Sequence, residues 1–238
     1  MKYVLLAIFC SAFFLSGCID IYFDITPLAD GTYMLKRTIV LGPDFMSQMQ
    51  QIPTLKSNSS WYDTKTIADS IMAEFKNERG IYTKYSGVMS YSLRDSVADS
   101  TALIITELQV RDANTMKKVG NESFFSMKQQ DSGATNKTFQ MQLSKAKGKT
   151  TMEFSFIPET NIKSLSGEEL ATFNQFFSNH YIYIRLFSPD LIRPNPSKEI
   201  EEIPGGEQWK VSYIKFPGIT PKNPLKNKFL LREPVIKK

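Results

Sequence analysis

The sequence predicts an α+β fold, in which a mainly antiparallel sheet of about eight strands carries two principal helices packed on one face. Two observations predict it. Segments in which apolar and polar residues alternate are joined by short turns, so consecutive strands pair antiparallel. Two other segments repeat apolar residues every three or four positions behind capping residues, as amphipathic helices do. The chain has 238 residues, of which 42% are hydrophobic and 22% charged, and this suits one domain with a substantial core.

The N-terminal residues form a segment distinct from the rest of the chain. Lys2 is followed by an almost wholly apolar run from Tyr3 to Leu15, which ends at Leu15-Ser16-Gly17-Cys18. A basic start, a short apolar run and small residues at its end are the parts of an export signal, and a bilayer span would need about 20 apolar residues. We therefore predict a signal peptide at 1–17, a single exported domain at 18–220 and a basic Pro/Lys-rich tail at 221–238.

Leu15-Ser16-Gly17-Cys18 resembles the lipobox of bacterial lipoproteins. The resemblance implies cleavage between Gly17 and Cys18, a diacylglycerol on the Cys18 sulfur, and acylation of the new amine, so that membrane lipid is the anchor. The residue after Cys18 is Ile19, and not the Asp that resembles an inner-membrane retention signal. In a cell with two membranes we therefore expect the outer membrane, facing the periplasm. The alternative is an ordinary secreted protein cut nearby, with Cys18 a free thiol.

The exported domain is expected to begin with a strand hairpin and a helix. Apolar residues alternate with polar ones from Ile19 to Ile25 and again from Tyr33 to Leu41, and Gly31 is expected to take a positive φ in the turn between them. A short helix is predicted at 45–51. The first principal helix is predicted at about 65–79, with Gly80 following its end.

The middle of the chain is predicted to consist mainly of strands. Residues 89–94 alternate, and the denser apolar run at 103–110 indicates a central strand. Asp112 begins a predicted helical turn that ends at Gly120, and a weak strand follows at 123–128. A hairpin is then expected, in which the strands flank a turn at 145–149 containing Gly148.

The last third combines the second principal helix with two further strands. The helix is predicted at 168–179, and Tyr181 to Phe187 is apolar on both faces, as in a central strand. Residues 189–208 are predicted to be a loop before a strand that contains Trp209, and Pro217 is expected to end the regular structure. One domain is favoured, and the alternative is two subdomains that divide near residue 120.

From residue 19 onward the layout resembles the exported domain of LppM-type lipoproteins. In that family a hairpin with a Gly turn follows the lipidated Cys, and a late helix leads to a strand, a Pro/Asn loop and a Trp-containing strand. The matching segments are 30–32, 168–179, 181–195 and 205–213. The resemblance implies lipid binding in the cell envelope, and it provides no catalytic residues to carry over.

The positive charge is concentrated at the C-terminus. Residues 221–238 hold six Lys or Arg against one Glu, a net charge of +5, and the net charge of the whole chain is also +5. The remainder is therefore close to neutral, which disfavours nucleic acid as a partner. The tail also contains Phe229, Leu230 and Leu231. Contact with an anionic membrane surface is one interpretation, and a solvated tail or one packed on the domain are the others.

The sequence contains no recognisable catalytic or metal-binding motif, and we expect a protein that is not an enzyme and needs no cofactor. His180 is the single histidine and no Gly-x-Ser-x-Gly elbow accompanies it. Zinc sites need clusters of Cys and His, which this chain lacks. Asp20 and Asp24 share a strand face, and a weak cation site or a solvated face are the two interpretations. The glutamates at 199, 201 and 202 are interpreted as a solvated loop.

The aromatic residues suggest a ligand site. The chain has 17 Phe and 10 Tyr, and Phe173, Phe176, Tyr181 and Tyr183 are the candidates to line an apolar cavity. Core packing is the alternative. We predict an anchored envelope lipoprotein that binds a lipid or an envelope protein. The alternatives are a carboxylate-based hydrolase of the envelope and a purely structural or assembly lipoprotein.

Overall fold

The structure is a computed structural model that describes residues 20–43, 64–76, 78–98, 101–124, 139–157, 167, 171, 180–188, 190–192, 199–212, 219 and 222–232. Several predicted features lie outside the described residues. They are the signal peptide with Gly17 and Cys18, the helix expected at 45–51, the helix expected at 168–179 except for residue 171, and residues 125–128 of the predicted weak strand. The described start of that strand, Ser123 and Phe124, instead belongs to a π-helical turn, so the prediction was wrong there.

The described part of the chain contains ten strands in two sheets. The strands are β1 (Asp20–Pro27), β2 (Tyr33–Leu41), β3 (Val88–Ala98), β4 (Thr101–Val110), β5 (Phe139–Ala146), β6 (Lys149–Phe156), β7 (Tyr181–Phe187), β8 (Ile200–Ile203), β9 (Gly206–Ser212) and β10 (Leu225–Arg232). A seven-stranded sheet has the order β3-β4-β2-β1-β7-β9-β8, and a three-stranded sheet has the order β10-β6-β5. The chain is therefore mostly β, with its strands divided between two sheets where the sequence predicted one sheet.

Antiparallel pairing predominates, as predicted. Both sheets are built from hairpins, and the antiparallel pairs include β1 with β2 and β5 with β6. The exception among the described strands is β1, which runs parallel to β7. This pairing makes the larger sheet mixed, and it joins the first strand of the domain to a strand about 160 residues later, since Ile21 is aligned with Ile182.

Three helical segments belong to the described part: α1 (Thr64–Lys76), α2 (Glu78–Tyr82) and α3 (Ala113–Val119), the last continuing into a π-helical turn at Gly120–Phe124. The helical turn predicted from Asp112 is α3, and Asp112 caps it because its carboxylate accepts the Thr115 N–H at 2.8 Å. The helical region predicted at 65–79 extends further, to Tyr82. Gly80, predicted to follow the end of the helix, instead lies inside α2, whose first and last residues, Glu78 and Tyr82, are buried.

The main core lies against one face of the seven-stranded sheet, which we call the core face. Ile21, Phe23 and Ile25 of β1 point into it, as their alternation predicted. The helices pack there, since the Tyr91 hydroxyl donates to the carbonyl of Phe75 in α1 at 3.3 Å. The three-stranded sheet packs there as well, with the ring of Phe139 6.0 Å from that of Phe23. The opposite face of the larger sheet, which we call the outer face, carries the other set of alternating side chains.

Glycines fix two of the turns and one close contact between strands. Gly31 has φ 84°, as predicted for the β1–β2 turn, and Lys147 and Gly148 have φ 51° and 70° between β5 and β6. Positive φ at both central residues gives a turn whose twist matches the strands of the hairpin. At Gly206 a Cβ would lie 2.1 Å from the Leu186 carbonyl oxygen, so only glycine allows β9 to approach β7 this closely.

The predicted basic tail requires a correction, because residues 225–232 within it form β10, paired along its length with β6. Asn227, Phe229 and Leu231 are buried, whereas Lys226 and Lys228 between them are exposed. This is a period-2 pattern with lysines on the solvent side, as is common where a strand forms the edge of a sheet. The regular structure therefore continues beyond Pro217.

The loop predicted at 189–208 also requires a correction. Ile200–Ile203 form β8, which pairs antiparallel with β9 at the edge of the larger sheet. Gly205, with φ 75°, allows the tight turn that returns the chain onto β9. The glutamates of β8 are on an edge strand, where they remain in contact with water, and this explains the polar composition that suggested a loop.

Candidate functional site

The outer face carries a cluster of aromatic and charged side chains from three adjacent strands. We call it the outer-face cluster, and it consists of Asp20, Tyr22 and Asp24 of β1, Tyr181, Tyr183 and Arg185 of β7, and Lys210 of β9. The parallel register aligns Tyr22 with Tyr183 and Asp24 with Arg185. The antiparallel register between β7 and β9 aligns Lys210 with Tyr183. Strand pairing thus brings these side chains together on one face.

Three tyrosine rings form the centre of the cluster. The rings of Tyr22 and Tyr183 stack nearly parallel, with centroids 4.5 Å apart and 3° between their planes. The ring of Tyr181 lies 5.8 Å from that of Tyr183 at 47°. All three side chains are half-buried. They offer apolar ring surface together with hydroxyl groups, a combination that suits a boundary between apolar and aqueous surroundings.

Two cations lie over these rings. The Arg185 guanidinium carbon is 4.5 Å from the centroid of Tyr22, and the Lys210 ammonium is 3.8 Å from that of Tyr181. Arg185 also forms a bidentate pair with Asp24, with distances of 2.6 Å from Nε to Oδ1 and 2.7 Å from Nη2 to Oδ2. Bidentate pairing fixes the guanidinium plane, so Arg185 is held rigidly across the strand boundary.

The tyrosine hydroxyls of the stacked pair are held in their neutral form. Burial raises the pKa of Tyr183, and the nearby Asp20 carboxylate raises it further. Burial and Asp20 likewise raise the pKa of Tyr22, although Arg185 acts in the opposite direction. At neutral pH both hydroxyls therefore remain hydrogen-bond donors.

The two aspartates of the cluster already have partners. Asp20 accepts the backbone N–H of Tyr181 at 2.9 Å, and its carboxylate lies 3.5 Å from Nδ1 of His180. Both oxygens of Asp24 are taken by Arg185. A cation at Asp20 and Asp24 would have to displace these contacts. Among the described residues no group of three or more His, Cys, Asp or Glu side chains could hold a metal ion.

The remaining acidic candidates lie on the sheet edge. Glu201 and Glu202 are exposed on β8, and Glu201 accepts a hydrogen bond from Gln208 at 2.8 Å. The carbonyl of Glu199 accepts the backbone N–H of Lys210 at 3.4 Å. These glutamates therefore lie at a solvated edge of the sheet, where charged side chains are common.

Two of the four residues predicted to line a cavity belong to the outer-face cluster. Tyr181 and Tyr183 lie beside each other there, because alternate residues of a strand point to the same face. Phe173 and Phe176 lie outside the described residues. The cavity therefore remains a prediction, as does acylation of Cys18. Tyr22, Arg185 and Lys210 were not predicted, although the alternation in β1 already placed Tyr22 opposite the buried face.

A buried ion pair crosses the core beneath the sheet. Arg37 of β2 and Glu78 of α2 are 0% and 2% exposed, and Nη2 of Arg37 lies 2.6 Å from Oε2 of Glu78. Nη2 also donates to the Thr106 hydroxyl at 3.1 Å, and the Tyr82 hydroxyl lies 3.4 Å from Oε2 of Glu78. The guanidinium carbon lies 4.3 Å from the centroid of Phe75. The pair connects the sheet to α1 and α2.

The surroundings of Arg37 stabilise its charge. Burial is the largest single influence and would lower the pKa of Arg37, but Glu78, together with Tyr82 and Tyr91, acts in the opposite direction and the pKa is raised. Arg37 occupies a core-face position between Leu35 and Ile39, both fully or almost fully buried. A charged residue within an apolar alternation was the sequence signal for this pair.

The described residues contain no helix long and apolar enough to cross a membrane. No protein-family model matches the chain, and no curated protein matches it significantly. Among solved structures, the chain is similar to the folded domain of the Mycobacterium tuberculosis LppM protein, determined by NMR. The two are 9% identical with a TM-score of 0.41, and the match covers 92% of each chain.

Proposed function

We propose that the protein is a non-enzymatic lipoprotein of the cell envelope, anchored by acylated Cys18, whose exported domain binds a lipid or an envelope partner. The observation that carries the proposal is Leu15-Ser16-Gly17-Cys18 at the end of a short apolar run that begins after Lys2. Each buried CH2 of an acyl chain contributes about 0.8 kcal/mol to membrane binding, so one chain binds reversibly and two or three hold firmly.

The position of the first strand supports this proposal. β1 begins at Asp20, two residues after Cys18. Two residues span at most about 7 Å, so an acylated Cys18 would keep the domain close to the membrane. The fold thus suits a protein that works at the membrane surface.

The outer-face cluster is the proposed contact for a ligand or partner. It combines half-buried tyrosine rings with two cations and two carboxylates, so its formal charge is balanced. Rings and neutral hydroxyls contact apolar groups and donate hydrogen bonds at the same time. An amphipathic ligand such as a lipid matches this chemistry. The hydrolase alternative has less support, because Asp24 is engaged by Arg185 at both oxygens.

In a cell with two membranes, we place the protein on the periplasmic side of the outer membrane, because Ile19 follows the lipidated residue. Density-gradient separation of the two membranes tests this localisation. The protein is expected to migrate with outer-membrane markers, and migration with inner-membrane markers would count against it.

The direct test of the anchor compares Cys18→Ala with Cys10→Ala, since these are the two cysteines of the chain. Cells are labelled with a radioactive fatty acid and then fractionated. Cys18→Ala should lose the label and leave the membrane fraction, because no thiol remains for the diacylglycerol. Cys10→Ala, altered only within the predicted signal peptide, should keep both. Label that still enters Cys18→Ala would refute the proposal.

A further inference from the structure

One end of the seven-stranded sheet lies next to the anchor, and this inference rests on the proposed function. The Cα of Cys18 can be no further than about 7 Å from that of Asp20. Asp20 accepts the backbone N–H of Tyr181 at 2.9 Å, so β1 and β7 begin side by side. In the neighbouring strands Asp20 is aligned with Val40, and Tyr181 with Ser212. We call this row of residues the anchored end of the sheet.

The anchored end carries the amphipathic half of the outer-face cluster. Tyr181 lies in the first row with the Lys210 ammonium over its ring at 3.8 Å, and the stacked pair of Tyr22 and Tyr183 follows. His180 lies beside Asp20 in the same row. Tyrosine rings and lysine stems place apolar carbon near acyl chains while their polar ends reach headgroups, and these residue types are enriched at membrane boundaries.

The opposite end of the sheet has a different character. β1 has eight residues, which at about 3.3 Å per residue span roughly 23 Å. Beyond it lies the turn that contains Ala29, Asp30 and Gly31, in which Asp30 accepts hydrogen bonds from Thr32. The two ends are therefore separated by more than twice the screening length of about 8 to 10 Å, beyond which salt largely screens interactions between charges.

We propose that the anchored end rests on the lipid headgroups of the membrane that holds Cys18, with Tyr181 and Lys210 in contact with the headgroup phosphates. The acyl anchor determines which end approaches the bilayer, and the tyrosines and lysine determine how it contacts the surface. The sheet then stands on the membrane with the Ala29–Gly31 turn facing the aqueous phase. The ammonium of Lys210 is the group that pairs with phosphate, and the tyrosine hydroxyls donate to phosphate oxygens.

The test compares two matched single-cysteine variants of the acylated full-length protein, Ala98→Cys and Ala29→Cys. Both alanines are exposed, Ala29 within the turn between β1 and β2 and Ala98 as the last residue of β3. Ala98 pairs with Thr101 just beyond the anchored end, because Val97 and Leu41 both align with Ala102. Acylation occupies the thiol of Cys18, so each added cysteine is the single site for a fluorophore. The protein is reconstituted into anionic or neutral vesicles whose headgroups carry a nitroxide quencher.

The proposal predicts strong quenching of the probe at Ala98 and little at Ala29. In anionic vesicles, Lys210→Gln should weaken the contact by roughly fivefold at low salt, the loss expected for one lysine. Quenching at Ala98 should therefore decrease, whereas Lys118→Gln, an exposed lysine on α3, should leave it unchanged.

Three results would overturn the proposal. Equal quenching at both probes would mean that the domain lies flat, and quenching at neither would mean that it is held away from the bilayer. Greater quenching at Ala29 would reverse the orientation. The mass of the N-terminal peptide is measured in each preparation, because an unmodified Cys18 would refute the anchor itself, whereas an acylated chain with the wrong quenching pattern refutes only the orientation.

Discussion

Arg37 and Glu78 show how single residues connect the sheet to the helices. Two charges removed from water lose several kcal/mol of hydration each, and only close pairing with further hydrogen bonds restores it. Here Thr106 and Tyr82 supply such contacts around the 2.6 Å ion pair. The complete pair is therefore tolerated in the core, whereas loss of one charge leaves the other buried without a counterion and lowers the free energy of unfolding.

We predict that Glu78→Gln destabilises the domain by about 3–5 kcal/mol, because it leaves the Arg37 charge buried without its counterion. Urea unfolding, followed by the fluorescence of the fully buried Trp209, measures the change. The matched control is Arg94→Gln, which breaks the exposed pair with Glu107 and should cost less than about 1 kcal/mol.

The double variant Arg37→Met with Glu78→Met separates pairing from packing. It removes both charges and leaves apolar side chains, so its stability should exceed that of Glu78→Gln. A loss on Glu78→Gln no larger than that of Arg94→Gln would contradict the role given to the buried pair.

Tyr91 gives a pH-dependent prediction. Burial, with a contribution from Glu78, raises its pKa from 10.0 to about 12. A raised folded-state pKa means that the neutral phenol is favoured in the fold, so this stability is complete below pH 10 and lost as pH rises through about 12. A difference titration of tyrosinate absorbance between wild type and Tyr91→Phe should show a group that ionises near pH 12. If the group that Tyr91→Phe removes ionises with a midpoint near pH 10, the prediction is contradicted.

At the level of elements, local alternation was sufficient for most strands. The hairpin of β1 and β2, the hairpin of β5 and β6, and the interior positions of β4 and β7 follow from period-2 patterns and dense apolar runs. β8 and β10 were missed because edge strands keep Glu and Lys on their solvent side, and these residues resemble loops and tails. The alternation of apolar and polar residues in β10 is present in the sequence, but the lysines within it led to the prediction of a tail.

The outer-face cluster was less predictable than the strands that form it. Alternation places Tyr22 and Asp24 on one face of β1, and Tyr183 and Arg185 on one face of β7. Their juxtaposition depends on a parallel pairing between distant segments, and no local pattern specifies which strands become neighbours. Tyr181 and Tyr183 were predicted from the sequence as aromatic candidates for a ligand cavity. The side chains that they contact on the neighbouring strands could be identified only from the order of the strands in the sheet.

β10 supplies the prediction at this scale. Phe229 is fully buried, and its ring lies 5.8 Å from that of Phe154 in an edge-to-face contact. Phe229→Ala should therefore cost about 3–5 kcal/mol in urea unfolding, as expected for a buried phenylalanine. Lys226→Ala, on the exposed side of the same strand, should change stability by less than about 0.5 kcal/mol. Equal effects of the two substitutions would indicate that residues 225–232 are a tail after all.

At the scale of the whole molecule, the C-terminal end of β10 lies beside the end of β7 that is opposite to the start of β1. Arg232 donates its backbone N–H to the carbonyl of Asp190 at 2.9 Å, and Asp190 follows the end of β7 that is remote from Tyr181. An anchored Cys18, two residues before Asp20, would therefore lie far from Arg232, and this disfavours membrane contact through Arg232.

The central claim is that the mature chain begins at an acylated Cys18. The most direct measurement is mass spectrometry of the protein extracted from its own membranes, as an intact chain and as an N-terminal peptide. The account predicts a chain that starts at Cys18 and carries the added mass of a diacylglycerol, with or without an acyl group on its amine. An N-terminus at any other residue, or a Cys18 with a free thiol, would contradict it.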